Sequence, residues 1–281
     1  MRKEHQERVE VLITVKAYPL PSRSYDELVC TAGITSGGKW IRIYPVPYRF
    51  LKDDKQYKKY EWLKISLKKR HPSDFRLESY SPVYRDLSDV THYDHLGTAQ
   101  YWKRRKQVIL ENGPPIYKNI TRLIEDSQEP DNVSLATFKP TKVLNFEWED
   151  DSREWEGTFA RNREQYDLFD DRSSPNLSKL PYKFYYKFED NQGKISRLMI
   201  EDWEIGALYW NCYTRWDGDE NAALRLVKKK FWDELVLKCD LHLFLGTTLQ
   251  FHRRRALNPF VIIGVFYPRF DPRANQMGLF K

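Results

Sequence analysis

The feature that most constrains the fold is a pair of strand-like segments joined by glycines near the N-terminus. The segment DELVCTAGIT leads into SGGK, which supplies the glycines that a tight hairpin turn requires. In the returning segment KWIRIYPV, Ile41 and Ile43 point to one side and enter the core. Trp40, Arg42 and Tyr44 share the opposite side, a mixed aromatic and cationic face that either binds nucleic acid by stacking bases or consists of half-buried aromatic rings beside an arginine whose charged end reaches solvent.

A strongly basic segment follows this hairpin. The stretch KDDKQYKKYEWLKISLKKR carries eight Lys or Arg residues against three acids, and its part WLKISL alternates as a strand does. Lysines of this kind suit a solvated strand edge that deters aggregation, and equally a surface that follows a phosphate backbone. For the second alternative we expect residues 52–70 to lie on the same side as the Trp40 face. The binding residues would then be Lys58, Lys59, Lys64, Lys68, Lys69 and Arg70.

The remaining patterns mix helices and strands. Helical spacing and helix-boundary residues predict helices in GTAQYWKRRKQVILENG, which begins with Thr98 as a candidate N-cap, in PPIYKNITRLIED and in DENAALRLVKKKFWDELVL. The segments DLHLFLGTTLQF and NPFVIIGVFYP are almost continuously apolar, as central strands are when both sides are covered. The predicted fold class is therefore α+β, with a β-rich, barrel-like N-terminal lobe and a second, mixed α/β lobe.

A change of charge suggests where the two lobes divide. The segment EWEDDSREWE holds six acids and one arginine, and a long polar stretch without periodicity follows it. Long irregular segments are usually functional loops or linkers. We predict a first lobe with two helices over residues 1–150, a polar linker over 151–180 and a second lobe over 181–281. Because charge makes burial expensive, residues 147–156 are expected to be mobile or to bridge the lobes.

A second basic cluster, HRRR, lies between the two apolar strands of the second lobe. Three adjacent arginines in a strand cannot all face a core, because successive side chains alternate. Arginine binds phosphate through two parallel hydrogen bonds, so the cluster either docks phosphate or forms a solvated hairpin end that pairs with the acidic stretch. The binding residues of the first alternative are His252, Arg253, Arg254 and Arg255.

The sequence contains no pattern that establishes catalysis. It has no Gly-rich phosphate loop, nucleophile elbow or paired metal-ligand histidines. His92 and His95 could form half of a metal site, but no second half has a recognisable spacing. Glu201, Asp202 and Glu204 offer carboxylates of the kind a metal-dependent nuclease needs, and equally suit a salt-bridging surface. We predict neither a metal nor a cofactor, and the catalytic residues stay unknown.

Composition indicates the class of partner. The formal net charge is +7 and aromatic residues make up 15% of the chain. This combination suits nucleic acid, because phosphates need cations and exposed bases need flat partners. Cys30, Cys212 and Cys239 lack the short spacing of zinc or redox motifs, which favours a reducing cytoplasm. No apolar run approaches the roughly 20 residues that span a bilayer, so no membrane association is expected.

Two parts of the chain resemble bacterial proteins. The segment LVCTAGITSGGKWIRIYPV resembles the opening of uncharacterised, nucleic-acid-associated proteins with two OB-like barrels. The segments MIEDWEIGALYWNC and LHLFLGTTLQF resemble stretches of other bacterial proteins, some with cysteines and a histidine in the hairpin before DWE. Here that hairpin, FEDNQGKISR, has neither residue type, which argues against zinc. The barrel resemblance implies association with nucleic acid, sometimes in nucleic-acid modification or phage defence.

The leading hypothesis is therefore a protein that binds DNA or RNA through a basic, aromatic surface, with a protein partner in a defence or modification system. One alternative is an enzyme acting on nucleic acid or nucleotides, with a pocket formed by LGTT, HRRR and EDWE. The other alternative is a scaffold subunit of a defence complex, which would use its exposed aromatic residues on protein partners.

Overall fold

The computed structural model describes residues 6–21, 27–70, 74, 76–155, 178–248, 251, 254 and 256–271. The protein is α+β, with a closed five-stranded barrel in the N-terminal region followed by a mixed α/β region. Both the fold class and the barrel-like N-terminal lobe were predicted from the sequence, and the structure confirms them.

Five strands close the barrel in the order β1, β3, β4, β6, β5 and back to β1. They are β1 (Gln6–Lys16), β3 (Glu27–Thr35), β4 (Trp40–Val46), β5 (Glu61–Lys69) and β6 (Ser79–Pro82). All barrel pairs are antiparallel except β4 with β6. Two further strands extend the sheet, since β2 (Leu20–Pro21) pairs with β3 and β7 (Thr91–His95) pairs with β5.

The predicted hairpin is the pair β3 and β4, in which Ile34 lies opposite Trp40. Gly38 has a φ of +73° in the turn, a left-handed conformation that glycine adopts without steric cost. Val11 and Ile13 of β1 pack inside the barrel, while Leu12 and Val15 pack on its outer side. Burial on both sides explains why the middle of β1 is apolar at successive positions.

The second region combines two sheets with the helices. A three-stranded sheet contains β10 (Lys142–Asp150), β11 (Tyr182–Glu189) and β12 (Ile195–Met199), in that order. A four-stranded sheet has the order β14 (Phe260–Phe266), β13 (His242–Thr247), β9 (Leu135–Phe138) and β8 (Ile116–Tyr117).

The helices are α1 (Ala99–Lys106), α2 (Ile120–Asp126), α3 (Trp203–Arg215) and α4 (Glu220–Lys228). Helix α1 continues in a π-helical turn over Gln107–Glu111, and α4 in a π-helical segment over Lys229–Val236. Short 3-10 turns at Tyr48–Phe50 and Asp53–Lys55 lie between β4 and β5. Of the described helices, none combines the length and the apolarity that crossing a membrane requires.

Side-chain caps begin three of these helices. Asn119, Asp202 and Asp219 accept hydrogen bonds from backbone N–H groups in the first turns of α2, α3 and α4. Thr98, the candidate cap in the sequence, makes no side-chain cap bond to α1. The reason is that the first turn of α1 is not right-handed, which leaves no ordinary N-terminus to cap.

The structure groups the chain differently from the predicted division near residue 150. Strands β9 and β10 lie before that position, yet β9 pairs with β13 and β10 pairs with β11, both of which lie beyond residue 181. The first four residues of the acidic stretch, 147–150, belong to β10, where Arg197 of β12 forms ion pairs with Glu147 and Glu149. Because Arg197 pairs with two of these acids across an exposed sheet face, β10 carries its negative charges at little cost in stability.

The outer side of the barrel packs directly on the four-stranded sheet. Leu12, Val15 and Ile34 of the barrel form one apolar cluster with Phe244 of β13 and Phe266 of β14. This contact brings the start of α1, which follows the barrel, close to the segment that follows β14.

Candidate nucleic-acid interface

The three residues of the predicted β4 face lie in different surroundings. The Trp40 ring packs edge-on against Phe244, with ring centroids 5.3 Å apart. Arg42 is only 3% exposed, and its Nη2 donates to the Ser134 carbonyl oxygen at 3.0 Å. The Tyr44 ring lies 5.1 Å from the guanidinium carbon of Arg70. The second region therefore covers Trp40 and Arg42, and the sequence could not show this because the covering residues are far along the chain.

The predicted residues of the basic segment divide between the surface and the interior. Lys58 is exposed, and Lys64 forms an ion pair with Glu10 at 2.8 Å on the outside of the barrel. Lys68 is partly exposed on the same strand. The Lys69 ammonium lies 4.2 Å from the centroid of the Tyr80 ring. Arg70 donates to the Tyr44 carbonyl oxygen and to Ser81 Oγ.

Lys59 is buried and holds the barrel to the second region. Its Nζ lies 3.2 Å from Asp202 Oδ2 and 3.2 Å from Glu204 Oε1. Burial alone would lower the pKa of Lys59, but the two carboxylates reverse this effect and raise its pKa above the ordinary value. The Lys59 ammonium thus stays charged, and its partners are two carboxylates of the second region, Asp202 fully buried and Glu204 partly exposed.

Of the four residues in the second basic cluster, HRRR, the structure describes only Arg254. Arg254 is exposed, whereas His252, Arg253 and Arg255 lie outside the described residues. Phosphate docking by HRRR stays a prediction.

Among the groups considered for metal chemistry, Asp202, Glu204, His92 and His95 are held in structural contacts, whereas burial raises the pKa of the Glu201 carboxyl to about 7. Asp202 accepts from Lys59 and from the backbone N–H of Glu204. His92 Nδ1 lies 2.8 Å from Glu61 Oε1, and His95 Nε2 lies 3.1 Å from the Lys59 carbonyl oxygen. Across the part of the chain that the structure describes, no three His, Cys, Asp or Glu residues group as a metal site would need.

A groove that the sequence did not indicate lies between three distant segments. It encloses about 1190 Å³ and is lined by residues of 98–102 at the start of α1, of 230–239 in and after the continuation of α4, and of 267–270 after β14. These segments meet because Trp102 packs on Phe266, with centroids 5.4 Å apart, and on Tyr267 at 4.8 Å.

Four aromatic side chains line this groove: Tyr101, Trp102, Tyr267 and Phe270. Trp102 and Tyr267 are held by their packing and form a fixed wall. Tyr101 is 37% exposed and Phe270 is 60% exposed. The groove therefore offers open aromatic surface beside a rigid aromatic wall, which is where a flat ligand can stack.

The groove is also cationic. Lys230, Lys238 and Arg269 line it with a single carboxylate, Glu234, which forms an ion pair with Lys230 at 2.8 Å. Within the described ranges, neither Lys238 nor Arg269 has an ion-pair partner. A backbone bridge between Cys239 and Arg269 holds the two cationic segments together. Glu234 also interacts electrostatically with Lys238, so one carboxylate faces three cations, and this excess of positive charge favours an anionic ligand.

The backbone at the groove is strained. Gln100, Tyr101 and Trp102 have φ values of 51°, 53° and 63°, a left-handed turn without glycine. Such residues cost roughly 1–2 kcal/mol each and persist only where the surroundings hold them. Here the Arg105 guanidinium lies 4.6 Å from the Trp102 ring and 3.7 Å from the Tyr60 ring, which fixes the turn from behind. Strain of this kind clusters at ligand sites.

Comparison with protein families divides the chain just after the continuation of α1. Residues 7–111 match a domain of unknown function, DUF8758, and residues 118–281 match a second domain of unknown function, DUF8757. Neither description states an activity. No curated protein matches the chain.

Proposed function

We propose that this chain, which belongs to the DUF8757 family, is a nucleic-acid-binding protein whose binding site is the groove between α1, the continuation of α4 and the segment after β14. The observation that carries the proposal is the placing of Lys230, Lys238 and Arg269 beside four aromatic side chains in one concavity. Cations bind phosphates and aromatic rings bind base faces, so the two parts of a nucleotide find complementary chemistry there.

Two further observations support this class of partner. The whole chain carries a formal charge of +7, which attracts polyanions at long range. A five-stranded barrel is also the architecture of OB-folds, many of which bind oligonucleotides. The resemblance of the β3–β4 segment to bacterial dual-OB-like proteins supports a setting in nucleic-acid modification or phage defence.

The groove suits the proposal better than the basic surface of β5 does. On that surface, the cations of Lys69 and Arg70 already cover one face each of the Tyr80 and Tyr44 rings. Lys64 is neutralised by Glu10. In the groove, by contrast, neither Lys238 nor Arg269 forms an ion pair with a described residue, three cations face the single carboxylate of Glu234, and Phe270 keeps its ring exposed.

The test is the salt dependence of oligonucleotide binding, measured by fluorescence anisotropy. Each phosphate contact that is lost should reduce the slope of log affinity against log salt by about 0.7 to 0.9. We expect Lys238→Ala and Arg269→Ala each to produce such a reduction and to leave the melting temperature almost unchanged. Lys142→Ala, which removes an exposed lysine on β10, is the matched control and should leave the slope as it is. Unaltered slopes for both groove variants would remove the groove as the binding site.

A further inference from the structure

We infer that the groove selects unpaired nucleotides and stacks a base on the exposed rings of Tyr101 and Phe270, so that single strands bind in preference to duplexes. This inference rests on the proposed function and adds to it the form of nucleic acid that the site recognises. It applies to DNA and RNA alike, because both present the same flat base faces when they are unpaired.

The exposure of the two rings favours unpaired bases. Tyr101 and Phe270 present open surface within a concavity, not on a convex or flat part of the protein. In a duplex, the faces of the bases are covered by their neighbours, and only base edges and phosphates reach the grooves. Aromatic surface in a concavity is therefore useful for stacking only when the bases are unstacked.

The aromatic wall of the groove is rigid, which favours stacking. Trp102 contacts Phe266 and Tyr267 and lies beneath the Arg105 guanidinium, so the left-handed turn cannot relax without losing these contacts. Tyr101 precedes Trp102 and is presented by the same turn. A ring that is positioned before the ligand arrives loses less conformational freedom on binding, and this favours affinity.

The cations of the groove lie beside an open aromatic ring. Arg269 is adjacent in sequence to Phe270, and Cys239, which is bridged to Arg269, is adjacent to Lys238. In a single strand, each base is separated from the phosphates on either side of it only by a sugar. The groove therefore places cations next to an open ring, in the alternation that a single strand presents.

The experiment compares three probes of equal phosphate number on the full chain. They are a single strand of roughly 12 nucleotides, a length within the usual range of site sizes, a hairpin duplex and a strand in which most bases are replaced by abasic sites. We expect the single strand to bind at least about tenfold more tightly than either of the other two.

Alanine variants of the two exposed rings test whether a base stacks on them. Phe270→Ala and Tyr101→Ala should each weaken single-strand binding about tenfold, leave the salt slope unchanged and have little effect on abasic binding. Tyr84→Ala removes a ring outside the groove whose exposure lies between those of Tyr101 and Phe270, and it should change nothing. Phe270→Leu keeps the apolar bulk without the π-face, and it should behave like Phe270→Ala if stacking is the cause.

The outcomes separate the two proposals. Equal, salt-dependent binding of single strand and duplex would overturn the selection of unpaired bases and leave nucleic-acid binding in place. Single-strand preference that survives both aromatic variants would overturn the role of Tyr101 and Phe270. Failure of all three probes to bind would overturn the proposed function together with this inference.

Discussion

At the scale of single residues, the structure separates charges that hold the protein together from charges that can meet a ligand. Lys59 belongs to the first group, because its ammonium is buried between Asp202 and Glu204. Lys238 and Arg269 belong to the second group, because they line an open groove. All three are simply basic residues in the sequence, and the difference between them is the position of carboxylates from elsewhere in the chain.

Lys59→Met should destabilise the protein by about 3–5 kcal/mol, because it leaves the fully buried carboxylate of Asp202 without its cation. Urea unfolding followed by circular dichroism measures this change. Lys64→Met is the matched control, since Lys64 pairs with Glu10 at the surface, and its effect should stay below about 1 kcal/mol. A small effect of Lys59→Met would show that the ion pair between barrel and second region contributes little to folding.

At the scale of elements, the start of α1 departs most from sequence rules. The segment from Ala99 onward consists of residues that form ordinary right-handed helices, and the helix was predicted on that basis. The structure has a helix there, but its first turn is left-handed at Gln100, Tyr101 and Trp102. The packing of Trp102 on Phe266 and Tyr267 is the tertiary contact that opposes the local preference.

Gln100→Gly tests this strain. Glycine adopts a φ near 51° without penalty, so relief of strain should offset the greater entropy of the unfolded chain, and stability should stay unchanged or rise slightly. Gln107→Gly, at the start of the π-helical turn that continues α1, is the control. Gln107 has an ordinary right-handed φ of −58°, and glycine there should cost about 0.5–1 kcal/mol. If both variants lose stability equally in thermal melts, the left-handed turn is not under strain.

At the scale of the whole molecule, the barrel and the second region share one apolar interface. Trp40 and Phe244 meet edge to face across it, and Leu12 and Ile34 of the barrel pack in the same cluster as Phe266. The first family match ends at residue 111 and the second begins at residue 118, and although each part has its own core, the outer side of the barrel is buried against the second region. The groove itself also requires both parts, because α1 follows the barrel and Arg269 follows β14.

We therefore expect a single cooperative unfolding transition for the whole chain. Phe244→Ala should lower the melting temperature of the barrel and of the second region together, because the cavity lies between them. Differential scanning calorimetry would show one peak at a lower temperature. Leu198→Ala, at a buried position within the second region's own core, should shift that same single peak. Two separate peaks in either variant would show that the regions unfold independently.

The sequence by itself determined the parts of this protein that depend on local chemistry. Period-two alternation and the glycine turn specify the β3–β4 hairpin, helical spacing specifies α2 and α4, and together these patterns indicate an α+β chain with a barrel-like beginning. Only the tertiary structure decided that Arg42 and Lys59 are buried and that residues near 100, 238 and 269 line one groove. The physical reason is that periodicity tells which side of an element is apolar, whereas the element that covers that side is chosen by packing between segments far apart in the chain.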